Sequence, residues 1–290
     1  MSLSRIARPK VNLCLHITGK RSDGYHLLES LVCFPQGGDL LEVSAADTLS
    51  LACRGPFAAG LSVKNDNLVL RAAQLLKDVA QVGNGAHIKL QKNLPIASGI
   101  GGGSSDAAAC LLLLIDLWNV DIAPEKLHEI ALMLGADVPA CLTEAPLLMR
   151  GVGGDIERLL HFPKLHILLV NPCIEVSTPA VFKGAFWSEN NCIEFSDFGT
   201  ADTDIVMDML HTCRNDLQKS AEILVPEVSA VLATIKAQEN CLLARMSGSG
   251  ATCFGLFKTE EAAAVAKEQI ADRYPDWWLT ASIVEEVGGP

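Results

Sequence analysis

The stretch Pro95-Ile-Ala-Ser-Gly-Ile-Gly-Gly-Gly-Ser-Ser-Asp-Ala-Ala108 joins a glycine-rich loop to the start of an apolar helical pattern. Its glycines are Gly99, Gly101, Gly102 and Gly103. Glycine lets the main chain approach phosphate oxygens closely, and the free N–H groups at a helix N-terminus attract anions. Ser104 or Ser105 would serve as the N-cap of that helix. The stretch predicts a phosphate-binding loop, although a plain glycine-rich turn before a capped helix fits this segment alone equally well.

Two better-known phosphate loops do not fit. A Walker loop requires Gly-Lys-Ser/Thr at the helix start, and no lysine follows these glycines. A dinucleotide fingerprint would read Gly99-x-Gly101-x-x-Ser104, with serine where glycine or alanine is expected. It also lacks a βαβ beginning that would account for the preceding segment. The pattern therefore excludes the first kind of loop and matches the second only weakly.

Composition limits the class of protein. The length of 290 residues favours two domains, and the net charge of -11 argues against nucleic acid or an anionic membrane as the partner. The longest apolar run, Ala107 to Ile115, is shorter than the roughly 20 residues that cross a bilayer, so it predicts a buried helix. No signal peptide is expected. The 10 cysteines contain no C-x-x-C pair, so we expect no zinc site and reduced thiols in a cytoplasm.

Hydrophobic periodicity predicts strands and helices in mixed order. Strands are expected at Lys10–Ile17, Leu40–Ser44, Leu49–Ala52, Ala86–Leu90, Leu165–Val170, Leu242–Met246 and Thr252–Phe257. Helices are expected at Asn67–Val79, Ser104–Leu117, Pro124–Leu134, Ile205–Cys213, Val228–Gln238 and Glu260–Arg273. The glycine cluster from Gly151 to Gly154 predicts a domain boundary, which we place between residues 155 and 156.

Three further segments carry polar groups in apolar surroundings. Lys10 and Asn12 are two residues apart on the first predicted strand, so their side chains share a face. Asp137 is a lone carboxylate after a predicted helix end, and Tyr25 and His26 follow an Asp-Gly turn. Each segment alone also fits an ordinary structural role, as a satisfied strand pair, a cap or a surface turn. If Asp137 meets Lys10, the pair could deprotonate an alcohol.

These segments occur in the order typical of the GHMP kinases. Pro9-Lys-Val-Asn-Leu13 resembles the first motif of that family, Pro95 to Ala108 the phosphate loop, and Met246-Ser-Gly-Ser-Gly-Ala-Thr252 the third motif. Within the family, Gly19 to Ser30 and Leu134 to Pro139 are similar to members that act on a cytidine diphosphate-linked methylerythritol. The resemblance spans nearly the whole chain.

The resemblance implies a two-domain α+β GHMP kinase fold with the active site in the inter-domain cleft. The N-terminal domain would comprise residues 1–155 and the C-terminal domain residues 156–290. ATP and Mg²⁺ are the implied cofactors, and the other ligand is a small-molecule substrate. Oligomeric state is left open, and so are the protein ligands of the metal, for which Ser104 and Ser105 are candidates.

The resemblance also implies roles for individual residues. Asp137 would be the general base on the substrate 2-hydroxyl, and Lys10 would orient that hydroxyl, with Asn12 close by. Tyr25 and His26 would recognise cytosine together with Phe182. Residues expected to bind ATP are Pro95, Gly99, Gly101, Gly102, Gly103, Ser104, Ser105, Asn67, Ser247, Gly248, Ser249 and Gly250.

The chain departs from the family pattern at two points and leaves other functions open. Arg8 and Pro9 precede Lys10 where Ala-Pro-Ala is usual, and Gly154 replaces a frequent glutamate. A kinase for homoserine or mevalonate is a competing prediction, against which the Tyr25-His26 pair speaks. A non-catalytic binding protein on the same scaffold would require a lost Lys10 or Asp137, and both are present.

Overall fold

A computed structural model describes residues 2–63, 66–187, 200, 202–285 and 287. The chain forms two compact units. The first unit comprises Met1–Pro9, Gly37–Ile96 and Gly101–Glu144, and the second comprises Lys10–Gln36, Ala97–Ile100 and Ala145–Pro290. The predicted division between residues 155 and 156 falls inside the second unit, because the chain enters each unit more than once. The assignment of residues 1–155 and 156–290 to two family domains stays a prediction.

Elements are numbered in chain order. The first unit contains strands β1 (Ser2–Ala7), β5 (Asp39–Ala46), β6 (Ser50–Arg54) and β7 (Gly85–Gln91), and helices α1 (Leu68–Val79), α2 (Gly102–Trp118), α3 (Pro124–Leu134) and α4 (Val138–Thr143). Its sheet has the order β1-β5-β7-β6, in which only the β6–β7 pairing is parallel. Helix α2 contacts β1, β5 and the other three helices, so it is the centre of this unit.

The position of α2 follows from its sequence. Residues 105–111 are buried without interruption, and a helix that is apolar on every side must be covered on every side. Helix α1 instead has one apolar stripe, with Leu76 buried and Arg71 exposed. The side chain of Asn67 caps it by accepting a hydrogen bond from Val69 N at 2.9 Å. The predicted amphipathic helix at this position is thus confirmed.

Within the residues that the structure describes, the second unit contains two sheets and five helices. Its strands are β2 (Val11–Asn12), β3 (His16–Lys20), β4 (His26–Cys33), β8 (Leu147–Gly151), β9 (Asp155–Arg158), β10 (Leu165–Asn171), β11 (Cys241–Met246), β12 (Cys253–Phe257) and β13 (Trp278–Val284). Its helices are α5 (Thr178–Lys183), α6 (Thr203–Thr212), α7 (Gln218–Leu224), α8 (Glu227–Lys236) and α9 (Glu260–Arg273). One sheet has the antiparallel order β11-β12-β10-β13, and the other has the order β2-β4-β8-β9 with β3 paired to β4.

The core of the second unit lies between helices and the first of these sheets. Every residue of β12 is buried, as expected for a central strand, and α8 and α9 pack on this sheet. The predicted continuous strand from Lys10 to Ile17 is wrong in extent, because the chain leaves the sheet after Asn12. Leu15 pairs instead with Asn215, and the carbonyl of Cys14 accepts a hydrogen bond from the Ser30 hydroxyl.

Helices long and apolar enough to cross a bilayer do not occur in the described ranges.

Candidate active site

The backbone conformation of the glycine loop determines where α2 begins. Gly101 is left-handed, with φ of +62°, and serves as the N-cap, so α2 begins at Gly102. The predicted N-cap at Ser104 or Ser105 is wrong, because both serines already lie in the first turns. The Ser105 hydroxyl is buried and donates to Cys141 Sγ at 3.3 Å. A β-carbon at Gly103 would have open space, so the N-terminus of α2 is free of side chains on that side.

A buried ion triplet lies beside the start of α2. Lys92 Nζ donates to Asp39 Oδ2 at 2.5 Å and to Asp106 Oδ2 at 2.6 Å, and all three side chains are almost fully buried. A β-carbon at Gly102 would lie 3.2 Å from the lysine nitrogen. The sequence analysis did not predict this triplet. Because two carboxylates surround the lysine, the triplet adds no net positive charge under the first turn of the helix.

The two carboxyl groups of the triplet differ in their hydrogen bonds and in their pKa values. Asp39 Oδ1 accepts hydrogen bonds from Asn93 N and Leu94 N, whereas Asp106 Oδ1 is buried without a hydrogen-bond partner among the described residues. Burial raises the pKa of Asp106 to about 7, Lys92 opposes this shift, and the second carboxylate adds to it. Burial lowers the pKa of Lys92, but the two carboxylates outweigh it and raise that pKa. A proton held by the triplet therefore belongs on Asp106.

Asp137 and Asn67 also belong to the first unit. Asp137 is half-buried at the N-cap position of α4, where its carbonyl accepts from Cys141 N at 3.2 Å. Its side chain makes no capping hydrogen bond to that helix. Asn67 is used as the cap of α1, and its Nδ2 donates to Ser62 O at 2.6 Å. Pro95 lies between β7 and α2 in the same unit.

The second unit brings the first motif, part of the phosphate loop and the third motif together. Ser247 is fully buried, and its hydroxyl donates to Gly99 O at 3.0 Å. The same hydroxyl accepts a hydrogen bond from Asn12 N at 3.1 Å. Lys10 N donates to Ile100 O at 2.8 Å. Parts of these three motifs are thus in contact within this unit.

Glycine is required at the contact between the two loops. Gly99 has φ of +74°, and a β-carbon there would lie 2.5 Å from Ser247 O. Gly248 has φ of +53°, and its β-carbon would lie 2.6 Å from Gly99 O. Gly250 is also left-handed, and Ser249 exchanges a 2.8 Å hydrogen bond with the Thr178 hydroxyl. The two backbones are therefore closer than any chain with side chains at these positions could be.

A side chain that the sequence analysis did not select holds the third motif in place. Asn215 Nδ2 donates to Met246 O at 2.8 Å and to Gly248 O at 2.9 Å. Its Oδ1 accepts from Leu217 N, so each polar atom of the amide is used. Asn215 is remote in sequence from both glycine loops, and no local pattern marks it.

Lys10 and Asn12 are buried at the start of the second unit, with exposed fractions of 4% and 1%. The Asn12 amide donates to the Ser30 hydroxyl at 2.7 Å. The side-chain oxygen of Asn12, Oδ1, is buried and has no hydrogen-bond partner within the described part of the chain. A buried acceptor without a donor costs free energy, so this atom is suited to a ligand hydroxyl.

The predicted base site is partly assembled in the second unit. The His26 ring stacks on Phe182 with ring centroids 5.3 Å apart, and Trp187 meets the same imidazole edge-on at 6.3 Å. Burial, with help from Lys20, lowers the pKa of His26, so the ring is neutral and can both donate and accept. Tyr25 does not join this cluster: its side chain is 66% exposed. Trp187 was not among the predicted site residues.

Two family models match the chain. The description "GHMP kinases N terminal domain" matches residues 67–144, and "GHMP kinases C terminal" matches residues 196–276. The first range contains α1, the whole phosphate loop, α2 and Asp137. The second contains Asn215 and the third motif.

Relatives and solved structures extend the match to nearly the whole chain. A protein of Cereibacter sphaeroides (strain KD131) named 4-diphosphocytidyl-2-C-methyl-D-erythritol kinase is 48% identical over 94% of this chain and 96% of its own length. One of the same name from Agrobacterium fabrum is 47% identical over 95% and 94%.

A crystal structure of 4-(cytidine 5'-diphospho)-2C-methyl-D-erythritol kinase is 30% identical, with a TM-score of 0.77 over 98% of this chain and 100% of its own. A homoserine kinase from Cytophaga hutchinsonii shares the fold, with a TM-score of 0.73 at 16% identity over 99% of this chain and 96% of its own. Relatives at this level of identity, together with both family models, show that the chain belongs to the GHMP kinase family.

Proposed function

We propose that this chain transfers the terminal phosphoryl group of ATP to the 2-hydroxyl of 4-diphosphocytidyl-2-C-methyl-D-erythritol, a step of the non-mevalonate pathway of isoprenoid biosynthesis. The names of the relatives at 47–48% identity support this substrate. ATP as a substrate follows from membership of a kinase family. The single observation that carries the proposal is the pair of glycine loops, which offers backbone N–H groups at a bare helix N-terminus.

The phosphate-binding part of the proposal rests on the start of α2. Anions bind helix N-termini because the first N–H groups have no acceptor within the helix. The two carboxylates balance the charge of Lys92 beside Gly102, so in a chain whose net charge is -11 the helix N-terminus itself must attract the polyanion. We assign the ATP phosphates to the residues from Gly101 to Ser105, and the loop from Ser247 to Gly250 to the reacting end of ATP.

For the transfer itself we assign Asp137 as the general base on the 2-hydroxyl and Lys10 as the group that orients it. The Asp137 carboxylate does not cap α4 although it occupies the N-cap position. Direct phosphoryl transfer depends mainly on positioning and on neutralising charge, so an acid and a buried lysine supply what the chain must provide. We assign the unpartnered Asn12 oxygen to a second hydroxyl of the substrate.

His26, Phe182 and Trp187 form the proposed cytosine site. A neutral imidazole stacked on an aromatic ring offers a flat face and both hydrogen-bond functions, which match the ring and the edge of cytosine. Tyr25 lies next to His26 on an exposed turn, and we assign it to the outer side of the base. This aromatic group favours the cytidylated alcohol over homoserine or mevalonate, which have no ring.

Mg²⁺ would accompany ATP, and the two candidate serines fit it unequally. Ser105 is buried and its hydroxyl already donates to Cys141, so it does not fit a hydrated ion. Ser104 is half-buried in the first turn of α2 and offers the better hydroxyl. The ion would neutralise charge on the transferred phosphoryl group. A cytoplasmic location is consistent with the nine described cysteines, all of which are free thiols.

The experiment that tests this function follows ADP release. The purified chain is incubated with ATP, Mg²⁺ and 4-diphosphocytidyl-2-C-methyl-D-erythritol, and in parallel with homoserine and with mevalonate. We expect turnover with the cytidylated alcohol alone. Asp137→Asn should lower kcat by about 10²- to 10⁴-fold, whereas Asp121→Asn, at an exposed position, should leave it unchanged.

Turnover with homoserine or mevalonate alone would contradict the proposed substrate while keeping the kinase. ADP release with none of the three alcohols would favour a binding protein on the same scaffold. Full activity of Asp137→Asn would remove the general base from the mechanism.

A further inference from the structure

Two cysteines and a histidine meet inside the second unit, although the sequence shows no paired cysteine motif. The sulfur atoms of Cys14 and Cys213 and a ring nitrogen of His16 all lie within 4.8 Å of one another. Their exposed fractions are 0%, 6% and 3%. The segments that carry them are held together by two backbone hydrogen bonds, from Leu15 N to Arg214 O and from Asp216 N to Leu15 O, each 2.9 Å long.

The hydrogen bond to the backbone fixes the tautomer of His16. Its Nε2 accepts from Arg214 N at 3.0 Å, and an acceptor nitrogen carries no proton. The proton of the neutral ring is therefore on Nδ1, where it can be donated to a sulfur atom. An imidazole N–H aimed at a cysteine stabilises the thiolate.

Positive charge from a second side chain acts on the same cysteines. The Arg245 guanidinium donates to Leu13 O at 2.7 Å, to Leu210 O at 2.8 Å and to Cys213 O at 2.6 Å. A hydrogen bond from the Cys14 thiol, aided by His16 and Arg245 against the effect of burial, lowers the pKa of Cys213 to about 5. Burial raises the pKa of Cys14 well above its ordinary value. These opposite shifts favour the proton on Cys14 and the thiolate on Cys213.

The same features speak against a metal ion. A metal ion would bind His16 through one of its ring nitrogens. Nε2 already accepts a hydrogen bond from Arg214 N, and Nδ1 holds the proton. Arg245 brings a cation to the place where a second cation would bind. Within the described part of the chain, only three donors form the group, whereas a structural zinc site has four.

We propose that Cys213 and Cys14 form a dithiol that peroxide oxidises to a disulfide. The Cys213 thiolate attacks one peroxide oxygen, the O–O bond breaks, and the departing hydroxide takes up one proton and leaves as water. Cys213 is then a sulfenic acid. The Cys14 sulfur attacks that sulfur, the S–S bond forms, the S–O bond breaks, and the Cys14 proton leaves with the oxygen as a second water. Two electrons pass from the sulfurs to the peroxide.

The position of this dithiol connects it to the loops described above. Cys14 follows Asn12 by two residues, and Cys213 precedes Asn215, which holds Met246 O and Gly248 O. Sulfur atoms in a disulfide are about 2.05 Å apart, so bond formation must bring the two sulfur atoms closer and reorient both side chains. Given the proposed kinase function, we expect the disulfide to slow phosphoryl transfer by displacing both Asn side chains.

The test treats the full reduced chain with hydrogen peroxide, blocks remaining thiols in denaturant, and maps the cysteines by peptide mass. A peptide linking Cys14 to Cys213 should appear before Cys173, which is exposed, is oxidised. The Cys14→Ser variant should give no linked peptide and should leave a sulfenic acid on Cys213 that dimedone traps. Cys173→Ser is the matched control and should retain the link.

Oxidation of Cys173 first, or a wild-type map without the link, would overturn the proposal, and this map requires no variant to fold. Zinc that binds at one ion per chain and is lost in Cys14→Ser would also overturn it in favour of a metal site. Turnover should fall several-fold as the link forms and return with dithiothreitol; unchanged turnover would contradict the effect on the loops. An inactive reduced chain would instead count against the proposed kinase reaction alone.

Discussion

The hydroxyl of Ser247 donates a 3.0 Å hydrogen bond to the carbonyl oxygen of Gly99, 148 residues earlier in the chain. Asn12 N donates to the same hydroxyl at 3.1 Å. A single buried oxygen therefore joins the three segments that resemble the motifs of the family. Because the contact uses two backbone groups, it depends on backbone position as well as on the serine.

Replacing this serine should weaken the second unit. Ser247→Ala leaves the carbonyl oxygen of Gly99 and the backbone N–H of Asn12 without their partner. This loss lowers the free energy of unfolding by about 1–3 kcal/mol. Denaturant titration measures this loss, and we also expect a higher KM for ATP. Ser229→Ala, at an exposed position on α8, serves as the control. Equal stability of the two variants would show that the Ser247 hydroxyl has no structural role.

A β-carbon at Gly99 should be more disruptive than one at Gly103. Gly99→Ala combines a left-handed backbone with overlap against Ser247 O, and we expect a loss of at least about 2 kcal/mol in the free energy of unfolding. Gly103 lies within α2 and faces open space, so Gly103→Ala should leave stability unchanged or raise it slightly. Thermal unfolding of the two variants decides this; similar melting temperatures would contradict the close approach of the loops.

The aromatic stack should determine affinity for the cytidylated substrate. Phe182→Leu removes the ring that packs on His26, and base stacking on an aromatic ring contributes about 1–3 kcal/mol, so KM should rise about fivefold or more with kcat largely retained. Phe186→Leu provides the control, because Phe186 is 69% exposed. Steady-state kinetics with each variant measure the effect. A loss of kcat with unchanged KM would remove Phe182 from the base site.

Asp106 should make stability fall as the pH rises. Its pKa is raised in the folded chain to about 7, so between about pH 4 and 7 the folded state keeps a proton that the unfolded state has released. The unfolding free energy should decrease over this range by no more than about 1.4 kcal/mol per pH unit from this group. Asp106→Asn should flatten the profile, and Asp116→Asn, at an exposed position on α2, should not. Parallel profiles for both variants would disprove the shift.

Local structure was predictable where short-range chemistry decides it. Helix α9 spans the predicted residues from Glu260 to Arg273, because Thr259 caps it by accepting from Ala262 N and the acidic residues follow at once. Gly99 and Gly248 could be selected from the sequence because glycine is the residue that most readily adopts a left-handed backbone conformation. The match of the chain to a known family supplied the roles that these patterns alone left open.

Contacts between distant residues were not predictable. Lys92 pairs with an aspartate 53 residues earlier, and nothing in its own segment shows that it is buried. Asn215 and Trp187 join the site through tertiary packing, and Cys14 reaches Cys213 only because the first strand ends early. The predicted strand from Lys10 to Ile17 was too long for the same reason, since the pairing of Leu15 with Asn215 outweighs alternation.

The ion triplet beside the start of α2 also fixes the rotation of this helix about its own axis. An α-helix turns by about 100° per residue, so a slip of α2 by one residue would rotate Asp106 away from Lys92 and leave the Asp106 carboxyl in the interior without the lysine. Apolar contacts along this helix specify its rotation less strictly, because the hydrophobic effect is non-directional. The charged contact thereby selects one phase of the helix, and with it the direction in which the first free N–H groups point.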